Sequence, residues 1–207
     1  MIQTLRKTAD RTGQFMGNAL TCRSPDREYA PVAWALVAGV IWLSVVRLAM
    51  DPDWIVTTAA SFYLLSVLAA VSAIDARYGI IPDSLVLGLA AGGATQTYLV
   101  SPGQLLERSG EAVAAFVAVS VFRSTYRLIR GHDGLGFGDV KFVAAGVLWI
   151  GIVRVPGLIL VGVLSALANL ALLKIERREL CGQEPISFGP HLAVALWVIW
   201  VMGPDLF

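Results

Sequence analysis

Long apolar segments separated by short polar loops constrain this chain more than any other feature. Seven segments are read as membrane-crossing helices: 32–50, 54–74, 84–100, 111–128, 140–153, 156–173 and 188–202. A helix needs about 20 mostly apolar residues to cross a bilayer, so the short fifth segment and the fourth, which carries Arg123, are the weakest. With 57% hydrophobic and 15% charged residues, the composition is that of an integral membrane protein. We predict an all-α, polytopic membrane helix bundle with about seven transmembrane helices (six to seven).

The basic residues lie mostly in alternate loops. If the N-terminus lies in the cytoplasm, thirteen of the sixteen Lys and Arg residues fall on the cytoplasmic side, and only Arg47, Arg108 and Arg154 fall outside. Loops rich in Lys and Arg stay in the cytoplasm, so we predict a cytoplasmic N-terminus and, after seven spans, an outer C-terminus. The net charge of +1 says nothing about nucleic acid, because the charges are segregated by loop and not clustered on one face. No nucleic-acid partner is expected.

The first 30 residues are polar and are predicted to be a cytoplasmic tail, with the transmembrane domain in residues 31–207. Two interpretations of the tail remain open: an amphipathic helix on the membrane surface, or a disordered segment, since Gly13 and Gly17 weaken a helix. The first apolar segment begins too late for a cleavable signal peptide. Cys22 and Cys181 are predicted to be free thiols in cytoplasmic loops. No CxxC pair exists, so a four-cysteine zinc site is excluded. The site is predicted to hold no metal and no cofactor.

Two aspartates lie at the ends of apolar segments. Asp75 directly follows the segment 54–74, and Asp139 directly precedes the segment 140–153. A carboxylate at the edge of hydrocarbon is costly to ionise and is therefore a candidate functional residue. The predicted topology places both at the cytoplasmic end of the bundle. Two carboxylates that lie close together share a proton, so that one can act as a base and the other as an acid in peptide hydrolysis by water.

The residues around these aspartates also have structural interpretations. Gly136 and Gly138 precede Asp139; they would open space for an extended peptide beside the carboxylate, or Asp139 would simply cap the following helix. Pro82 fixes a turn, and Asp83 is predicted to be the N-cap of the third span. Taken as single motifs, these alternatives remain open.

Three sequence blocks, taken together and in order, resemble the type IV prepilin peptidases, which are membrane aspartyl proteases with a GxGD motif. The blocks are Asp75 followed by Ile81-Pro82-Asp83, then Gly134-Leu135-Gly136-Phe137-Gly138-Asp139-Val140-Lys141, then Pro185-Ile186-Ser187-Phe188-Gly189-Pro190. The resemblance covers about residues 62–196, within a family core of about 55–203. It implies that Asp75 and Asp139 are the catalytic pair. It also implies roles in shaping the site or binding substrate for Pro82, Asp83, Gly136, Gly138, Lys141, Gly189 and Pro190.

The resemblance implies an aspartic endopeptidase in the bacterial inner membrane. Such an enzyme removes the short basic leader of a prepilin or pseudopilin at the cytoplasmic membrane face, for pilus or type II secretion assembly. Its partners would be membrane lipid and a substrate with a basic leader and an apolar helix, and it would need no cofactor. The short architecture is similar to the peptidases of tight-adherence (Flp-type) pilus systems.

Two departures from the family pattern are visible. Full-length relatives carry a cytoplasmic domain after the first span, usually with paired cysteines, that is associated with N-methylation of the cleaved pilin. Here only Asp51-Pro52-Asp53 joins the first two spans, and this loop is predicted to face outward. These differences put N-methyltransferase activity in doubt. Asp133 stands where many relatives have glutamate.

Three other functions agree with parts of the pattern. A transporter or channel would use Asp75 and Asp139 as an ion or proton relay, although transporter sites usually lie at the membrane midplane. A catalytically inactive homologue that takes part in pilus assembly would retain the same blocks. An intramembrane protease of the presenilin or signal-peptide-peptidase type would share GxGD, but it would not require the Asp-Val-Lys continuation or the Ile-Pro-Asp block.

Overall fold

The computed structural model describes residues 54–131, 134–175 and 187–203, together with Val45, which is helical. Within these ranges every regular element is a helix. The rest of the first predicted span, the N-terminal tail, the loop 51–53, Asp133 and both cysteines lie outside the described residues.

The described ranges contain six α-helices joined by short connections. They are α1 (Trp54–Tyr78), α2 (Asp83–Val100), α3 (Leu105–Arg130), α4 (Phe137–Ile150), α5 (Val155–Ile175) and α6 (Gly189–Met202). Short 3-10 helices, Pro102–Gln104 and Ile152–Arg154, precede α3 and α5. The six α-helices correspond to the second through seventh predicted spans. The all-α class is confirmed for this part of the chain, whereas the count of seven spans stays a prediction.

Helix α3 differs most from its prediction, because it begins at Leu105 rather than at residue 111. Its first turns carry Arg108 and Glu111, which form an ion pair at 3.2 Å. The carboxylate of Glu111 also accepts a hydrogen bond from the backbone N–H of Ile152 at 3.2 Å. These contacts give the charged residues partners within the helix and in the 3-10 helix before α5. The polar residues at the start of α3 are therefore helical, although they do not belong to an apolar segment.

Glycines end the helices next to the loops of interest. Gly79, which follows α1, has a φ of 68°, and its N–H donates to the backbone oxygen of Asp75 at 2.8 Å. Gly131 ends α3 in the same way, with a φ of 75° and a bond of 2.9 Å to the carbonyl of Arg127. A left-handed residue after the last turn satisfies an otherwise free carbonyl, and glycine adopts this conformation without steric cost.

Helices α4 and α6 form the centre of the bundle. Helix α4 packs against α2 and α3, α6 packs against α1 and α5, and the two central helices also contact each other. Fully buried side chains concentrate on this pair, among them Phe142, Ile150, Leu196 and Ile199. Hydrogen bonds add to the packing, since Trp149 Nε1 donates to the backbone oxygen of Leu89 on α2 at 2.8 Å. The pair therefore supplies most of the core around which the other helices are arranged.

Three segments of the described chain are long and apolar enough to cross a membrane: Ile55–Tyr78, Pro102–Arg130 and Ile152–Ala171. Few of their residues are buried inside the bundle. Large apolar side chains that are exposed include Phe62 on α1, Phe122 on α3 and Leu164 on α5. Water-facing apolar surface of this extent is rare in soluble monomers. The exposed faces are those that lipid would cover, in agreement with the prediction of an integral membrane protein.

Candidate active site

Asp75 lies in the last turn of α1 and is only 5% exposed. Its Oδ2 accepts hydrogen bonds from the hydroxyl of Ser187 at 2.5 Å and from the backbone N–H of Gly189 at 2.8 Å. Gly189 is the first residue of α6, so the carboxylate lies at the positive end of that helix, where a negative charge is stabilised.

The contact between Asp75 and α6 requires a residue without a side chain at position 189. A Cβ atom on Gly189 would lie 2.6 Å from Asp75 Oδ2 and 2.8 Å from its Cγ. Pro190 occupies the next position in the first turn of α6, where a helix has no partner for the N–H that proline lacks. The Gly-Pro pair thus begins the helix and lets its first N–H reach the carboxylate.

Asp139 lies in the first turn of α4, three residues after the N-cap residue Gly136. The backbone of Gly136 hydrogen-bonds to the Asp139 carboxylate, and a Cβ on Gly136 would lie 3.0 Å from Asp139 Oδ2. An acid at the third helical position that bonds back to the N-cap is half of a capping box. Asp139 therefore contributes to the helix start from inside the first turn and is not the N-cap that the structural alternative proposed.

The two carboxylates lie at the same end of the bundle. Asp75 lies in the last turn of α1 and Asp139 in the first turn of α4, and the connection that follows α1 packs against the first turn of α4 through Ile81 and Gly138. Like charges within electrostatic range, away from bulk water, disfavour double ionisation. Two carboxyl groups at one end of the bundle are the arrangement in which one base and one acid could act on the same water.

The segment between α1 and α2 packs onto the first turn of α4. A Cβ on Gly138 would lie 3.1 Å from the Cβ of Ile81 and 3.6 Å from its backbone nitrogen. Ile81 therefore lies beside Gly138, in the space that was predicted to receive an extended peptide. The glycine lets the chain that follows Asp75 approach the turn that carries Asp139.

Asp83 is the first residue of α2, and Pro82 occupies the N-cap position without any side-chain capping bond. The prediction that Asp83 is the N-cap is therefore wrong. Its Oδ1 instead accepts a hydrogen bond from Lys141 Nζ at 2.6 Å, which ties α2 to α4. The ammonium of Lys141 also lies 4.9 Å from the ring centre of Phe137. Asp83 and Lys141, which lies two residues after Asp139, form a rim at this end of the bundle, and the Asp83 side chain is 77% exposed.

Two contributors to the site were not predicted. One is Ser187, which was part of a recognised block but had no assigned role. The other is Arg123 of α3, whose Nε donates to the backbone oxygen of Leu135 at 2.8 Å and whose guanidinium lies 5.7 Å from the ring centre of Phe137. A charged residue inside an apolar span is a signal of function or of a specific partner, and here Arg123 anchors the glycine-rich loop before α4.

The described ranges place no three His, Cys, Asp or Glu side chains close enough together to hold a metal ion.

Comparison with known proteins gives one family. Residues 62–172 match the model of the type IV leader peptidase family. Curated relatives named "Prepilin leader peptidase/N-methyltransferase" include those of Aeromonas hydrophila (30% identical over 192 residues, 92% of this chain) and Dickeya chrysanthemi (31% over 180 residues, 86% of this chain). The relative from Burkholderia pseudomallei strain 1026b carries the same name and is 33% identical over 181 residues, 86% of this chain. No solved structure matches.

The chain spans less than two thirds of the length of these relatives: the alignments cover 64%, 59% and 56% of them, in the same order. The family match includes both Asp75 and Asp139 and ends before Ser187 and Gly189.

Proposed function

Because the chain belongs to the type IV leader peptidase family, we propose that it is a membrane-embedded aspartic endopeptidase with Asp75 and Asp139 as its catalytic pair. One observation carries the proposal: Asp75 in the last turn of α1 and Asp139 in the first turn of α4 lie at the same end of the bundle, where Ile81 of the α1–α2 connection packs against Gly138. Ion transport has weaker support, because Asp75 lies in the last turn of α1 and Asp139 in the first turn of α4, rather than at mid-helix.

The chemistry needs one water, one carboxylate and one carboxylic acid. The carboxylate takes a proton from water as the water oxygen attacks the scissile carbonyl carbon, and the acid gives its proton to the carbonyl oxygen. The tetrahedral intermediate then loses the amine as its C–N bond breaks. The group that took the proton from water gives it to the leaving nitrogen, and the other group, now a carboxylate, takes a proton from a hydroxyl of the intermediate. The dyad ends with the proton it began with, so no metal or cofactor enters the balance.

The proposed substrate is a prepilin or pseudopilin with a short basic leader followed by an apolar helix. This class follows from the names of the relatives, which are prepilin leader peptidases. An apolar helix can lie against the lipid-exposed helices, which places the leader junction at the membrane face. The methyltransferase activity that the relatives' names include is not part of the proposal, because only residues 51–53 join the first two predicted spans.

The proposed topology has seven spans in the bacterial inner membrane, a cytoplasmic N-terminus and the dyad at the cytoplasmic face. It is supported by the predominance of Lys and Arg on the assigned cytoplasmic side. Reporter fusions after Phe207 test it: a periplasmic reporter is expected to be active and a cytoplasmic one inactive. The reverse result would mean that the number of spans is even.

Co-expression with a prepilin, followed by detection of the shortened product, tests the peptidase. Asp75→Asn and Asp139→Asn are each expected to reduce cleavage at least about 100-fold, since an amide keeps the shape of the side chain but cannot exchange the proton. Protein level and thermal stability in detergent are expected to stay near those of the wild type. Cleavage at the wild-type rate by either folded variant would remove that aspartate from the mechanism, and a wild type that cleaves no prepilin-like substrate would overturn the proposed function.

A further inference from the structure

The two aspartates of the pair have different surroundings, and Ser187 accounts for much of the difference. Oδ2 of Asp75 accepts two hydrogen bonds, from the Ser187 hydroxyl and from the Gly189 N–H. Both donors come from the start of α6, a helix that is otherwise remote in sequence from Asp75. Among the described residues, the Asp139 carboxylate hydrogen-bonds to the backbone of Gly136, three residues earlier.

The backbone donor fixes the role of Oδ2. An amide N–H can only donate, so the Asp75 oxygen that it contacts acts as an acceptor. A hydroxyl at 2.5 Å from the same oxygen is then oriented most favourably with its proton toward it, because Oδ2 is already held as an acceptor. With Oδ2 occupied by two donors, Oδ1 is the oxygen of Asp75 that remains to act on a water.

The steric arrangement locks this orientation. Asp75 is buried, and its Cβ and Cγ would both lie within 3.0 Å of a Cβ atom at position 189. The carboxylate therefore lies directly against the backbone of α6, and its rotation would break both hydrogen bonds. Ser187 precedes the helix by two residues, so its hydroxyl and the first N–H of the helix act as a two-point clamp.

On the basis of the proposed function, we propose that Ser187 is a positioning residue that, together with the Gly189 N–H, holds Oδ2 of Asp75 so that Oδ1 takes the proton from the attacking water. In this arrangement Asp75 is the general base of the first step, and Asp139 carries the proton that goes to the carbonyl oxygen. The hydrogen bonds from Ser187 and from the first N–H of α6 thus determine which of the two aspartates is the base and which is the acid.

Steady-state cleavage of a prepilin by the purified full chain in detergent tests the clamp, with Ser187→Ala as the first variant. Loss of one hydrogen bond to a carboxylate is expected to lower kcat about tenfold and leave KM within about twofold of the wild type. Ser187→Thr keeps the hydroxyl and is expected to restore kcat to within about threefold. Ser66→Ala is the matched control: Ser66 lies on α1 with Asp75, is exposed, and donates to the carbonyl of Phe62 in its own helix.

The outcomes separate the clamp from a structural role. A structural role would lower yield, thermal stability and activity together, and threonine would not rescue kcat alone. If Ser187→Ala does not fold, Ser187→Cys, which is close in shape and a weak donor, takes its place with the same expected loss. An unchanged kcat in a folded variant without the hydroxyl, or a Thr variant as slow as the Ala variant, would overturn the inference. Both results leave the peptidase assignment intact. That assignment fails only if the wild-type protein cleaves no prepilin-like substrate.

Discussion

Helices α3 and α4 pack side by side, yet their side chains meet different surroundings. Only 6% of the apolar span that contains α3 is buried by protein, whereas most of α4 is buried, from Val140 to Ile150 with few exceptions. Helix α3 has 26 residues and α4 has 14. The long helix is left mostly uncovered by protein, as a lipid-facing helix would be. The short helix is covered by other helices and carries Asp139, a candidate catalytic residue, in its first turn.

The same contrast holds between α5 and α6. Helix α5 has 21 residues with a largely exposed apolar surface, and α6 has 14 residues that are mostly buried. The first turns of the two short helices, α4 and α6, contain Asp139 and the N–H that binds Asp75. Apolarity alone does not separate the two kinds of helix, because lipid and protein both favour apolar side chains. What separates them is length and the presence of small or polar residues at one end.

The largest effect that tests this division is expected at Gly189 on α6. Gly189→Ala would place a Cβ 2.6 Å from Asp75 Oδ2, so the carboxylate must move. A catalytic group misplaced by about 1 Å costs about 100-fold in rate. Gly162→Ala on α5 is the matched control, because its Cβ would meet its nearest neighbours at 3.5 Å, an ordinary contact. The measurement is kcat for prepilin cleavage together with the thermal unfolding temperature of each variant. Equal activity of the two variants would show that the close contact with Asp75 does not matter for catalysis.

A pair of phenylalanines tests the contrast in stability. Phe142 on α4 is 0% exposed and Phe122 on α3 is 66% exposed. Phe142→Ala would leave a cavity in the bundle and is expected to lower the free energy of unfolding by about 3 kcal/mol. Phe122→Ala changes a lipid-facing side chain and is expected to lower it by about 0.5 kcal/mol or less. Reversible unfolding in mixed micelles measures both, and similar losses would mean that α3 is packed against protein in the full molecule.

The smallest effect is expected at the rim formed by Asp83 and Lys141. Their ion pair is exposed on the Asp83 side, and exposed pairs contribute about 1 kcal/mol or less. Asp83→Asn is therefore expected to keep prepilin cleavage within about threefold of the wild type, and the difference should shrink at high salt because the pair is screened. A loss comparable to that of Asp139→Asn would place Asp83 in the chemistry.

The sequence predicted where the helices lie and that the two acids meet at one end of the bundle. Both depend on the apolarity of whole segments of about 20 residues and not on single contacts. Runs of apolar residues determine where helices lie, and the alternation of spans brings the end of α1 and the start of α4 to the same face. Individual polar contacts were not predictable in this way. The start of α3 was predicted too late, at residue 111 instead of 105, because the stretch before it is polar. Arg108 in that stretch pairs with Glu111, whose carboxylate also accepts the Ile152 N–H.

The errors at the site have one physical cause. Asp83 has the local pattern of an N-cap, but Lys141, far away in sequence, is a stronger partner for its carboxylate. Ser187 was recognised as part of a block, but nothing local indicates that its hydroxyl reaches Asp75 at the end of another helix. Local sequence rules describe what a side chain can do within its own turn, and these side chains act between helices.

The 14-residue length of α4 and α6 also has a consequence for the lipid. At 1.5 Å per residue each helix is about 21 Å long, whereas the hydrocarbon of a bilayer is about 30 Å thick. If the outer ends of α4 and α6 reach the far surface, their first turns lie below the near surface, and the bilayer must thin beside them or admit water. Hydrolysis requires water at the dyad, and the thinner the hydrocarbon, the closer the first turns of α4 and α6 lie to the water at the near surface. We therefore expect the turnover of reconstituted protein to rise in bilayers of shorter acyl chains and to fall in thicker ones.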